Sequence, residues 1–162
     1  SISLKDLPKI FTETLKLSCL SLFALAAASA LGEFLGYYQI NATVSNFFSG
    51  IGNNEYLFLF IIVAFFLFIG TFMDAIPAMV LFVPVIYPVA LTLGVDPVQL
   101  GIVVIITLSI GLITPPYGLC LLIASAIGEL SIDKSFKAVM PYISVIVLVL
   151  VAVIFMPFIL LV

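Results

Sequence analysis

Residues 108–118 read Leu108-Ser109-Ile110-Gly111-Leu112-Ile113-Thr114-Pro115-Pro116-Tyr117-Gly118, a proline pair between two glycines, inside an apolar run that covers residues 98–127. Proline has no amide hydrogen, its ring crowds the preceding turn, and it pushes the residue before it away from helical geometry. The spacing therefore predicts a broken helix, with an unwound loop over residues 111–118 and carbonyls from about Gly111 to Thr114 deprived of donors. In hydrocarbon such backbone persists only where protein buries it, where it lines a cavity, or where it meets an ion. Gly111 and Gly118 let the chain unwind on either side, and Thr114 adds a hydroxyl oxygen at the same level. An oxygen-lined cation site is the expectation. The alternative is a plain proline kink whose freed groups are re-satisfied by neighbouring helices.

The composition puts that loop in a bilayer. Of 162 residues, 65% are apolar and 8% charged, and the mean hydropathy is +1.45, far from the usage of water-soluble domains. The apolar segments approach or exceed the ~20 residues that cross a bilayer core, so the expected class is an all-α integral membrane protein with three crossings and one helical hairpin. The net charge is −3, histidine is absent, and the basic residues are Lys5, Lys9, Lys16, Lys134 and Lys137, near the two ends. Nucleic acid is not an expected partner. Cys19 and Cys120 sit in apolar helical context without metal or redox spacing and read as packing residues. No signal peptide is evident at the start, and the chain is expected to be a piece of a longer membrane protein.

Residues 1–16 place Leu4, Leu7, Phe11 and Leu15 at helical spacing between charged residues, as an amphipathic arm in the headgroup region would; a polar connector is the alternative. Residues 17–36, rich in alanine and serine, form a first spanning helix whose small side chains permit close packing. Residues 37–54 read as an outer interfacial linker. Residues 55–93 then form two apolar arms around an interruption at residues 70–77. Each arm is about 14–16 residues, roughly 21–24 Å as helix, short of the ~30 Å hydrocarbon core. That length favours a re-entrant hairpin. After Gly94-Val95-Asp96-Pro97 comes the broken transmembrane helix over 98–127, and residues 138–162 form a last spanning helix.

Orientation follows from the lysines. The positive-inside rule places both clusters in the cytoplasm, which requires an even number of crossings between them. The first helix and the broken helix supply two, and a hairpin that opens outward adds none. Two full spans in place of the hairpin would preserve the same parity.

The interruption at 70–77 carries Asp74, the only charged residue between Glu55 and Asp96. An acid at bilayer depth is costly and by default functional. A cap on the helix that starts near Pro77 is an equally open reading, compatible with a role at the site. Pro84 and Pro88 read as structural.

The run GTFMDAIPAMVLFVPVIYPVALTLGVDPVQLGIVVIITLSIGLITPPYG, residues 70–118, closely resembles the C-terminal half of the large membrane subunit of tripartite ATP-independent periplasmic (TRAP) transporters. The resemblance extends from about Leu4 to the end, and its two signatures, GTFMD and GLITPPYG, lie about forty residues apart. It implies one inverted-repeat half of an elevator-type transporter, in which a hairpin and a broken helix move against a fixed scaffold. It further implies a sodium site, with carbonyls near Gly70, Gly111 and Tyr117 and the carbonyl or hydroxyl of Thr114 as ligands. Pro115, Pro116 and Gly118 would keep that loop unwound, and Thr71, Met73 and Asp74 would lie toward the substrate. Na+ is then the co-transported ion.

The implied partners are the missing N-terminal half of the large subunit, a small Q-type membrane subunit, a periplasmic substrate-binding protein, an organic anion and the lipid bilayer. The implied location is a bacterial or archaeal cytoplasmic (inner) membrane. Tyr117 and Leu119-Cys120-Leu121-Leu122 depart from the family's usual residues, which leaves the anion open among dicarboxylates, sialic acid and sulfonates. A channel would need symmetric filter loops, which a proline pair in a spanning helix does not readily give. A structural membrane subunit would tolerate loss of Thr114 and Asp74. An intramembrane enzyme lacks support, with no histidine and no GxSxG-like nucleophile.

Overall fold

The computed structural model describes residues 7–51, 54–116 and 118–155. Among these the regular elements are helices: α1 (Leu7–Tyr37), α2 (Ile40–Ile51), α3 (Glu55–Gly70), α4 (Ala75–Thr92), α5 (Pro97–Leu112), α6 (Leu119–Ile127) and α7 (Ile132–Phe155). By length and composition α1, α4 and α7 could each cross a membrane, whereas α3 and α5 are apolar but only 16 residues long.

Each of the central helices starts on a side-chain cap that takes up otherwise orphaned N–H groups. Asn54 accepts from Tyr56 N at 3.0 Å and opens α3, and Asp74 accepts from Ala75 N at 2.8 Å and opens α4. Asp96 accepts from Val98 N at 2.8 Å, followed at once by Pro97 in the first turn of α5, where a missing N–H costs nothing. Helix α4 closes with Gly94 at φ +82°, the left-handed conformation a glycine adopts freely, while Val95 N reaches back to the Ala90 carbonyl.

The two arms α3 and α4 run antiparallel. The Phe65 ring meets that of Phe82 at 5.0 Å edge-on, and Asn54 and Tyr56 at the start of α3 share a hollow with Leu93 at the end of α4. The closest packing in the molecule, however, joins α3 to α5 rather than to its own hairpin partner. Phe58, Leu59 and Phe66 of α3, Leu100, Val103, Val104 and Leu108 of α5, and Ile154 of α7 are all essentially buried in one core. Helix–helix association in lipid rests on such packing and on polar contacts between helices. One polar contact is supplied by Gln99, buried at the start of α5, whose Nε2 donates to the carbonyls of Val153 and Ile154 at 3.1 Å each. At the same end the Tyr56 ring stacks on that of Phe155 at 5.5 Å. The starts of α3 and α5 and the end of α7 are thereby gathered together, and the hairpin tip and the helix break fall at the opposite ends of α3 and α5.

Three boundaries differ from the sequence expectation. No break separates the arm expected over 1–16 from the span expected over 17–36, because α1 runs unbroken from Leu7 to Tyr37. Its Pro8 lies in the first turn, where proline is tolerated, and the next helix-weakening residue is Gly32. The linker expected over 37–54 contains α2, in which Ile40, Val44 and Phe48 repeat every four residues and turn toward α3 and α4. Helix α5 also continues one residue past Gly111, to Leu112.

Candidate functional site

Two interruptions of the apolar helices meet at one point. The Cα atoms of Gly70, last residue of α3, and Gly111, near the end of α5, lie so close that a methyl group has no room between them. A Cβ built on Gly111 would stand 2.7 Å from both Cα and C of Gly70 and 3.1 Å from its carbonyl oxygen. A Cβ on Gly70 would meet Gly111 Cα at 3.3 Å and Leu108 Cα at 3.4 Å. Glycine is the only residue that allows this approach of backbone to backbone.

Around that joint the carbonyls divide into satisfied and open ones. Helix α5 ends by tightening: Ile113 N donates to the Ile110 carbonyl at 3.2 Å and Thr114 N to the Gly111 carbonyl at 3.0 Å. The Thr114 hydroxyl donates to the Ile110 carbonyl at 2.6 Å. The open run expected from Gly111 therefore begins one residue later. Among the described residues no donor reaches the carbonyls of Leu112, Ile113 or Thr114; for Leu112 both residues that a helix would use, Pro115 and Pro116, have no N–H to offer. Gly118, at φ +36°, restarts the chain as α6; its own missing Cβ would fall 3.0 Å from the Thr114 carbonyl oxygen.

On the tip side the Gly70 carbonyl likewise has no donor among the described residues, since Thr71, Phe72 and Met73 direct their N–H groups to Leu67, Phe68 and Ile69. The Thr71 side chain is buried and its hydroxyl donates to the Phe68 carbonyl at 2.7 Å. Met73 and Asp74 turn elsewhere. Together with Pro77 and Leu81 they line a cavity of about 340 Å³ against Ala24, Ala27, Ala28 and Leu31 of α1. The structure thus brings Gly70 to Gly111, with Thr71 buried beside the joint, and sends Met73 and Asp74 toward α1. Asp74 caps α4. Tyr117 lies outside the described residues.

Chemically the joint offers neutral carbonyl and hydroxyl oxygens. Among the described residues no group of three or more His, Cys, Asp or Glu is placed to hold a metal ion. A set of uncharged oxygens suits a hard, weakly held cation rather than a transition metal.

Comparison with known proteins agrees with the two signatures. Residues 1–159 match the family described as the DctM component of the tripartite ATP-independent periplasmic transporter. The chain belongs to that family. It is 30% identical over 154 residues to the C4-dicarboxylate TRAP transporter large permease protein DctM of Pseudomonas aeruginosa, covering 95% of this chain and 36% of the relative. It is 31% identical over 140 residues to the isethionate TRAP transporter permease protein DctMQ of Oleidesulfovibrio alaskensis, covering 86% and 22%. It is 29% identical over 141 residues to the sialic acid TRAP transporter large permease protein SiaM of Vibrio cholerae, covering 87% and 33%. The chain spans about a third of the length of most of the curated relatives it matches. These relatives are transport permeases, and the apolar helices described above fit a membrane protein of that kind.

Sequence reasoning passed over Gln99. A lone glutamine two residues into a helix carries no signal of its own; only the three-dimensional placement of α7 shows which carbonyls it holds.

Proposed function

We propose that this TRAP permease chain forms one half of a sodium-coupled secondary transporter that imports an organic anion, with the joint between Gly70 and Gly111 as its sodium site. The observation that carries the reading is the direct backbone contact of hairpin tip and helix break, with the open carbonyls of Gly70 on one side and of Leu112, Ile113 and Thr114 on the other. Helices α3 and α5 are each 16 residues, about 24 Å at 1.5 Å per residue. Measured from a common face, that reach ends inside a ~30 Å core. In this reading the short first arm, α3, makes the hairpin re-entrant, and the open carbonyls lie where no bulk water satisfies them. A sodium ion there offsets their desolvation and draws tip and break together.

Sodium and anion bind the same closed arrangement, so each raises the affinity for the other, and neither shifts the protein unless it binds the two states differently. The transported species is a carboxylate or sulfonate, the chemistry shared by the C4-dicarboxylate, sialic acid and isethionate of the relatives' names. A second half of the large subunit, a small membrane subunit and a periplasmic binding protein complete the assembly in the inner membrane. Transport proceeds by movement of hairpin and broken helix against a scaffold that includes α1.

The test is uptake of labelled succinate, sialic acid and isethionate into proteoliposomes carrying the complete assembly, with sodium replaced by choline at constant membrane potential. Accumulation is expected to vanish in choline. Undiminished, pH-driven uptake would place the coupling on protons instead.

A further inference from the structure

A cavity of about 500 Å³ lies between α2, the end of α1 and the two hairpin arms, and its walls present no polar atom. Along α2 it runs from Ile40 to Phe48, eight positions or about 12 Å at 1.5 Å per residue; on α3 and α4 it takes in only Ile61 to Phe65 and Phe82 to Ile86. It is therefore a slot that follows α2 and crosses both arms. The rings of Phe65 and Phe82, in contact at 5.0 Å, belong to its wall, and at one end Phe48 packs edge-on against Phe58 at 4.9 Å. Water gains nothing in a space without polar partners, and neither does an organic anion. What fits is hydrocarbon, which regains the dispersion contacts that an empty slot forfeits.

The other end of the slot reaches Leu35 and Ile40, which flank the corner where α1 turns into α2 at Gln39, φ +53°. Three aromatic rings gather on this corner. The ring centroids of Phe34 and Tyr38 lie 4.7 Å apart, those of Tyr37 and Tyr38 lie 5.6 Å apart and edge-on, and all three residues are more than half exposed. Exposed tyrosines of this kind mark the headgroup level of a membrane. Glu33 stands one turn before Tyr37, on the same side of α1, and no basic residue occurs between Lys16 and Lys134. Aromatic faces beside a carboxylate attract an ammonium group, whereas anionic lipid heads gather on lysine and arginine.

We propose that slot and corner together bind a zwitterionic phospholipid, with one acyl chain lying along α2 and the ammonium head resting on Phe34, Tyr37, Tyr38 and Glu33. Tail and head are recognised by different means. The slot takes a hydrocarbon chain whatever its head, and the corner selects an amine over an anion. A chain held here touches α2 and both hairpin arms at once. The site stands apart from the joint, and the inference does not depend on which ion or anion is transported.

The test is photolabelling of the complete transporter in detergent with phosphatidylethanolamine that bears a diazirine on one acyl chain, followed by mapping of the labelled peptides. Labelling is expected on the slot residues Thr43, Ile61 and Phe82, and it should saturate. Unlabelled phosphatidylethanolamine is expected to displace the probe about two- to fivefold more effectively than phosphatidylglycerol of the same chains, the range that a cation on exposed aromatic faces gives. Thr43→Trp puts an indole into the slot from an exposed position and should abolish the labelling, whereas Ala42→Trp, exposed and outside the slot, should leave it unchanged. Tyr37→Ala with Tyr38→Ala should keep the labelling and erase the preference for ethanolamine. Melting temperatures close to that of the unmodified protein exclude unfolding as the cause. Labelling that never saturates, or that Thr43→Trp and Ala42→Trp affect alike, would overturn the slot; equal displacement by the two lipids in the unmodified protein would overturn the head assignment.

Discussion

At the hairpin tip the chain reverses over residues 71–74, and nearly every N–H there finds a carbonyl in the last turn of α3, while Asp74 caps the helix that follows. At the break the chain spends a similar number of residues, yet Pro115 and Pro116 withhold two donors, and among the described residues no donor reaches the carbonyls of Leu112, Ile113 and Thr114. The tip is a closed turn and the break an open one. Their meeting at Gly70 and Gly111 joins a turn with one open carbonyl to a loop with three, counted among the described residues. In the sodium site proposed above, most of the oxygen ligands would come from the break and one from the tip.

That division is most directly broken at the joint itself. Gly111→Ala drives a Cβ into backbone atoms 2.7 Å away that belong to another helix and cannot rotate aside. Tip and break must separate, and uptake is expected to fall by at least about tenfold, a loss on the order of 1.4 kcal/mol or more. Gly101→Ala in the same helix meets nothing within 4 Å. It serves as the control and should transport like the unmodified protein; equal loss in both would remove the joint from the account.

A smaller effect is expected from closing the break. Pro115→Ala with Pro116→Ala restores two amide hydrogens and allows α5 to continue toward α6, which takes up carbonyls that the proline pair leaves open. The sodium concentration for half-maximal uptake should rise several-fold while the binding protein still docks. An unchanged sodium dependence would mean that something other than the prolines keeps the loop open.

The least effect belongs to the tip. Asp74→Asn keeps an oxygen for Ala75 N and should be close to neutral in stability and sodium dependence, whereas Asp74→Ala removes the cap and costs about 1 kcal/mol. Thermal melting separates the two. A large loss of sodium affinity in Asp74→Asn would show that the carboxylate charge, and not the cap, is what the protein uses.

How much of this was legible in the sequence follows from the range of each interaction. Both interruptions were, since proline and glycine act on their own backbone within a turn, and so was the cap at Asp74 as a candidate. The joint was not. Gly70 and Gly111 are about forty residues apart, and nothing local to either says that the other will lie against it; their association at the sequence level came from resemblance to a family. The continuity of α1 was missed because Lys9, Glu13 and Lys16 suggest a change of environment, yet charges on a helix surface do not end a helix. Helix α2 was hidden by the asparagines and glycines around it, although Ile40, Val44 and Phe48 carry a spacing of four that could have revealed it. Asp74 was read from its charge and depth as functional or as a cap on the next helix; the cap is present, and the position of Asp74 beside α1 depends on how the hairpin as a whole packs.

The central claim is that tip and break together hold sodium, and its most direct test needs no substrate. The purified protein is melted across a sodium titration and across a choline titration of equal ionic strength. A ligand that binds only the folded state raises the melting temperature in step with its concentration above Kd. A saturable rise in sodium, absent in choline and lost in Gly111→Ala but kept in Gly101→Ala, is the predicted result. Identical melting in sodium and choline, or a sodium response that survives Gly111→Ala unchanged, would contradict the account.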